Sequence, residues 1–254
     1  MQIRSDDMQL SERKKLILNA IVSEYIETAE PVSSVTIVNK YNAGCSSATV
    51  RNEMAELEDM GYLDKPHTSA GRMPSGRGYR FYVDSLFPYK TSESAGAKLR
   101  RAFLSQLSEA DDVIEKASEF ISRFTNYTVI ASDSFENMPR RVYTGGVVNI
   151  FNHPEYKNLE KARRLISFID SRESIYRVIS DMDGGEHLRI LIGDENTYDD
   201  LKDCSVVISH YHDARGRRGG LGIIGPTRMH YAQVVDSLAT VTEMIEKLIT
   251  EKER

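Results

Sequence analysis

Residues 46–83 read SSATVRNEMAELEDMGYLDKPHTSAGRMPSGRGYRFYV, a helical apolar period followed by the pair Tyr62-Leu63 and then by a basic stretch carrying Gly71. Ser46 is a good helix N-cap, and at about 100° per residue Val50, Met54 and Leu57 fall on one face of the helix it opens. Opposite them lie Ala48, Asn52 and Ala55, flanked by Thr49 and Arg51, with Glu56 and Asp59 further along. Small side chains let a helix approach a surface closely, and Asn and Arg offer paired donors that suit base edges or phosphates. From Lys65 to Val83 the cations Lys65, Arg72, Arg77 and Arg80 occur with no acid among them. Gly71 suits a turn needing positive φ, and GYRFYV reads as the second strand of a hairpin.

Upstream, Ser11 caps a predicted helix that carries Leu16, Ile17, Ala20, Ile21 and Tyr25 at helical spacing and closes at Glu30-Pro31. A shorter helix follows from about Ser33, burying Val35 and Val38 and ending at YNAG. Helix, helix, turn, helix, hairpin is the order of a winged helix-turn-helix, in which the start of the third helix enters the major groove. Ser46, Ser47, Ala48, Thr49, Arg51 and Asn52 are therefore the candidate contacts of that helix with double-stranded DNA. His67, Thr68, Ser69, Arg72 and Arg77 are the candidates on the wing, where they would hold phosphates.

The totals frame this reading. A chain of 254 residues with 40% hydrophobic content suggests two domains, and a net charge of -5 argues against a generally basic coat, so DNA contact must come from a local patch. Cys45 and Cys204 lie far apart without metal-ligand spacing and read as ordinary reduced thiols. No apolar run approaches the roughly 20 residues of a membrane span, and the start MQIRSDDMQLSERKK lacks a signal core, so a cytoplasmic protein is expected.

Past the polar YKTSESAGAK, apolar residues from Leu99 to Phe124 recur at helical steps and predict one long connecting helix. Its stripe of Leu99, Phe103 and Leu107 is the candidate dimer interface, and the alternative is that the helix covers its own domain. Beyond it NYTVIA, HLRILIGD, CSVVISHYH and GGLGIIGP read as strands of an α+β domain, antiparallel with helices on one side. The final helix carries a seam of Val234, Leu238, Val241, Ile245 and Leu248. ARGRRGGLGIIGP lacks the ending of a P-loop and the order of a dinucleotide fold, and His210 and His212 form a pair without a third metal ligand. No residue order suggests catalysis, so neither an enzyme nor a cofactor is expected.

EPVSSVTIV, the whole stretch from Ser46 to Asp84, LRILIGDEN, LKDCSVVISHYH and LGIIGPTRMHYAQVV together closely resemble the HrcA family of bacterial heat-inducible transcription repressors. The resemblance implies a winged helix-turn-helix at 1–88, a connecting segment at 89–128 and a GAF-like α+β regulatory domain at 129–254. It also implies a homodimer that binds an inverted repeat upstream of chaperone operons, with the GroEL chaperonin supporting its active form. Family members usually carry a long segment between the positions matching Ile130 and Tyr143, where this chain has only ASDSFENMPRRV. That departure predicts an incomplete GAF-like sheet and removes the inserted domain as a dimer contact. The alternative function is a metabolite-sensing regulator with a ligand in the GAF-like half.

Overall fold

A computed structural model of the chain describes residues 10–41, 44–66, 71–87, 93–108, 112–133, 141–182, 187–212, 216 and 218–252. Two compact units emerge, Met1–Tyr89 and Lys90–Arg254. Among the described residues no helix is long and apolar enough to cross a membrane.

The first unit packs three helices, α1 (Glu12–Thr28), α2 (Ser34–Tyr41) and α3 (Ser47–Asp59), against a two-stranded sheet of β1 (Leu63–Asp64) and β2 (Met73–Pro74), followed by α4 (Gly76–Ser85). Ser11 and Ser46 cap α1 and α3, each accepting a backbone N–H from three residues on. In α2, Ile37 takes the buried place and Val35 is half exposed, against the expectation that Val35 is core. Two carboxylates point inward and lock the helices together. Glu24 of α1 accepts from Lys40 Nζ at 2.6 Å and Tyr41 Oη at 3.0 Å on α2. Glu53 of α3 accepts from Arg13 Nε at 2.6 Å on α1, and Lys14 Nζ lies 2.8 Å from its other oxygen.

The second unit is built on a five-stranded antiparallel sheet in the order β4-β3-β7-β6-β5, from β3 (Thr128–Ser132), β4 (Val142–Gly145), β5 (Leu188–Ile192), β6 (Cys204–His212) and β7 (Arg218–Pro226). Helices cover both faces rather than one. Cys204, Val206, Ile208, Ile224 and Ile130 share one face with the apolar sides of α7 (Leu159–Asp170) and α8 (Arg172–Asp181). The alternate residues face α6 (Val113–Thr125) and α9 (Tyr231–Lys252), as the 2.6 Å contact of Ser205 Oγ with Tyr231 Oη and the stop of Gly145 against Ser118 O record. The two strands that flank residues 134–140 pair directly. β3 and β4 pair from Val129↔Gly145 to Ser132↔Val142, and Asp133 N–H extends the ladder to Arg141 O at 3.1 Å. The expected α+β domain is thus present, with β3 and β4 adjacent in one antiparallel sheet.

The single long connecting helix is also corrected, because α5 (Glu93–Leu104) ends well before α6 begins, and Asp112 caps α6 by accepting from Ile114 N and Glu115 N. Both helices belong to the second unit. Leu99 and Phe103 are buried there, Phe103 with its ring 5.2 Å from that of Phe120, so of the proposed dimer stripe only Leu107 remains partly accessible. The seam of Val234, Leu238, Val241 and Ile245 is likewise fully buried within the unit.

Two outcomes follow from this packing. Phe103→Asp places a charge in a closed apolar site and should unfold the second unit, seen as a lost cooperative melting transition; a folded monomer would mean that Phe103 does serve an interface. Glu53 is held below its ordinary value of 4.5, chiefly by the hydrogen bond from Lys14 and further by Arg13, against the opposing cost of burial. Its stabilisation is therefore full above the unfolded value and lost as pH falls through the lower folded one. Glu53→Gln should cost about 1–3 kcal/mol at neutral pH and flatten the acid limb of the first unit's stability profile. An unchanged acid limb in chemical denaturation would show that the pairing contributes little.

Candidate nucleic-acid interface

The inward face of α3 consists of Val50, Glu53, Met54 and Leu57, all buried. Burying the three apolar chains supplies roughly 1.5–3 kcal/mol each, and the Glu53 contacts fix which way round the helix sits. Ser46, Ser47, Ala48, Arg51, Asn52 and Ala55 are then exposed, with Thr49 half-buried. Ser46 Oγ accepts from Thr49 N at 3.1 Å and lies 3.0 Å from Thr49 Oγ1, so both hydroxyls are engaged in the cap. Arg51 and Asn52 behave differently. Among the described residues neither has a hydrogen-bond or ion-pair partner, which leaves their donors available above a surface of Ser47, Ala48 and Ala55. The free N–H groups of the first turn add positive potential at the same end.

The wing is short. β1 and β2 pair at Leu63↔Pro74 and Asp64↔Met73, and Arg72 extends the sheet by exchanging backbone hydrogen bonds of 2.8 and 2.9 Å with Val32, between α1 and α2. GYRFYV is not the second strand but the body of α4, capped by Ser75 Oγ on Gly78 N. Gly71 carries no positive φ; it is glycine because a Cβ there would stand 2.8 Å from the Pro31 carbonyl carbon and oxygen. Gly78 is similarly constrained, since its Cβ would lie 2.2 Å from Tyr62 O, where α4 crosses the end of the hairpin.

The arginines assigned to the wing are spread by this geometry. Arg72 Nε lies 2.6 Å from Glu58 Oε2 in the last turn of α3, with only 13% of the Arg72 side chain exposed. Arg77, on α4, donates to Met60 O at 3.0 Å and Tyr62 Oη at 3.1 Å, with its guanidinium carbon 4.3 Å from the centre of the Tyr62 ring. Arg80 pairs with Asp84 at 3.3 Å on the same helix. Lys65 is exposed at the end of β1. His67, Thr68 and Ser69 lie outside the described residues.

Elsewhere the other sequence candidates resolve into structure. His210 sits on an interior strand rather than an edge, 3% exposed, with Nε2 2.9 Å from Ile179 O. His212 lies against Glu246, with Nδ1 3.4 Å from its carboxylate. Cys204 is buried beside Tyr156, and burial pushes its thiol up to about 11. Among the described residues no three His, Cys, Asp or Glu side chains gather as metal ligands would. The glycines of GGLGIIGP lie within β7, where a Cβ on Gly220 would meet Ile179 Cγ2 at 2.3 Å, so they make room for packing.

Known proteins share this architecture and sequence. A family profile described as HrcA protein C terminal domain matches residues 131–235. The heat-inducible transcription repressor HrcA of Desulforudis audaxviator (strain MP104C) is 31% identical over 339 aligned positions, covering 95% of this chain and 98% of that protein. The protein of the same name from Clostridium perfringens (strain 13 / Type A) is also 31% identical, covering 94% and 98%. Since the alignments run to many more positions than the 254 residues here, each relative carries a sizeable block without a counterpart in this chain. A crystal structure of a hypothetical protein superposes with a TM-score of 0.74 at 19% identity, covering 96% of this chain and 99% of that one, and so shares the fold. On this identity and coverage, the chain belongs to the HrcA family of heat-inducible transcription repressors.

Proposed function

We propose that this protein is a DNA-binding repressor of heat-shock chaperone genes, reading its operator with the exposed face of α3. The observation that carries this reading is the pair Arg51 and Asn52, without partners among the described residues, on a surface of small residues in the N-terminal half of a helix whose other face is locked to α1. Ser47 and Ala48 permit close approach to a groove, while Ser46 and Thr49 hold the first turn rigid. Lys65, exposed at the end of β1, serves in this reading as a phosphate contact. The family's repressors also motivate an inverted-repeat operator bound by a homodimer, because one winged helix makes too few base contacts to single out a site in a genome. With Leu99 and Phe103 buried, the dimer contact belongs to another surface. The resemblance further suggests a chaperonin as the partner that supports the active fold. Against a metabolite sensor stands the packing on the sheet, where Ile179 of α8, Ile208 and Tyr211 take up the space that the β7 glycines leave.

Footprinting on DNA upstream of the organism's chaperonin operon tests the core of the proposal; protection of an inverted repeat is expected, and no protection at micromolar protein would overturn it. On that fragment Asn52→Ala should cost about 1–3 kcal/mol while leaving random DNA almost unaffected, as a base contact requires. Equal losses on both would make Asn52 a backbone contact. Lys65→Ala should weaken binding to every sequence and lower the slope of log K against log salt by about 1. An unchanged slope would remove Lys65 from the interface.

A further inference from the structure

Cations beside a DNA-reading helix are ordinarily assigned to phosphates, yet Arg72 and Arg77 both turn back onto the C-terminal end of α3. Arg72 reaches Glu58, and Arg77 reaches the Met60 carbonyl and the hydroxyl and face of Tyr62. Arg72 is the more constrained of the two. Its backbone is fixed by two hydrogen bonds to Val32, its neighbour Gly71 abuts the Pro31 backbone, and its side chain is only 13% exposed. The connection between α1 and α2, the wing and the last turn of α3 therefore meet at one ion pair.

We propose that Arg72 and Glu58 are a positioning pair that sets the tilt of α3 relative to the wing, and so determines operator specificity without touching DNA. This rests on the reading of α3 as the DNA-recognition helix. Asn52 lies about 9 Å along the helix from Glu58, so a tilt of about 5° pivoting at Glu58 moves the reading residues by roughly 0.8 Å. That displacement exceeds the tolerance of a direct hydrogen bond to a base edge, while a phosphate contact made by a long flexible side chain absorbs it. Loss of the pair should thus be felt on the operator and not on random DNA. Arg77 holds the same end of the helix through neutral acceptors, which is why the pair can be broken without releasing the wing altogether.

Glu58→Gln separates positioning from direct contact by sign. Removing a negative charge near DNA raises affinity for all sequences if only the electrostatic field matters. A positioning role requires the opposite, a loss of roughly threefold to tenfold on the footprinted chaperonin fragment, with random duplex of equal length and the salt slope unchanged. Arg72→Gln should give the same pattern, and the double variant should be no worse than either single one. The unmodified chain and Lys65→Ala are measured alongside across a salt series, with thermal unfolding of each variant. Tighter binding of Glu58→Gln to both DNAs, or a fall of about 1 in salt slope for Arg72→Gln, would overturn the proposal in favour of a phosphate contact. Equal weakening on both DNAs would also overturn it, as a general loss of folded protein. If Arg72→Gln does not fold, the sign for Glu58→Gln still decides. An unmodified chain that does not distinguish the fragment from random DNA would instead strike down the DNA-reading assignment itself.

Discussion

The carboxylate of Glu53 fixes the rotation of α3, and the DNA-facing surface follows from that rotation. Three positions of the inner face are apolar and tolerate small rotations; the fourth is a charge that is stable in a buried place only with cations against it. Arg13 and Lys14 on α1 supply them, and Lys14 also reaches Glu56 at 2.8 Å. A rotation by one residue would carry the carboxylate away from both cations and bring Asn52 toward α1. Glu24 does the same for α2 through Lys40 and Tyr41, and these contacts hold its carboxyl below the usual range, Lys40 first among them. Glu53 and Glu24 are thus neutralised internally, so Arg51 and Lys65 can give a local cationic face to a chain whose net charge is -5.

The outer face of α3 and both serine caps were legible because they depend on helical period and on local hydrogen bonds. The inner acid was not, since a glutamate between Val50 and Leu57 breaks the apolar stripe instead of marking it. The signal available was an acid at the centre of an apolar face together with the adjacent Arg13-Lys14 pair on another amphipathic helix. The misread strand at GYRFYV has a similar cause. Tyr and Phe at alternating positions favour a strand, but Ser75 after Pro74 is a helix cap, and tertiary packing of Tyr79, Phe81 and Val83 decided the outcome. The break between α5 and α6 was hidden because apolar residues keep their period through Leu107 and Ile114; the decisive element is the cap at Asp112. Which arginines face inward could not be read at all, because Arg72 and Glu58 become neighbours only after the wing folds back.

In the second unit the dominant constraint is burial on both faces of β6 and β7. Their residues are buried almost end to end, so the strands read as continuous apolar or small runs without the alternation of a half-exposed sheet. Glycine in β7 is then a packing choice. Gly222 stands opposite Ile130 and Ile208, where a Cβ would approach Ile208 Cγ1 to 2.9 Å, so the large chains on the neighbouring strands depend on the missing one between them.

The same topology explains how a family member can have a short centre and keep its sheet. β3 is followed in sequence by β4 and pairs with it directly, and β4 is an edge strand, so the strand pairing itself sets no length on what joins them. The pairing is secured on this chain by its own residues. Arg141 lies 3.2 Å from Asp112 and 3.4 Å from Asp133, its backbone N–H donates to Asp133 Oδ1 at 3.0 Å, and Tyr143 Oη donates to Asp112 at 2.6 Å. Burial raises the Asp133 carboxyl while the Arg141 contacts oppose that rise, and burial followed by the Asp112 hydrogen bond raises the Tyr143 hydroxyl above its ordinary value of 10.0. Asp112 is at once the cap of α6 and the acceptor for the far strand, so helix start and strand end are tied at one carboxylate. The hairpin is closed by this chain's own side chains on either side of the connection, so its strands pair without the longer block that the relatives carry. Any dimer formed by this chain must therefore draw on surfaces that lie outside that block.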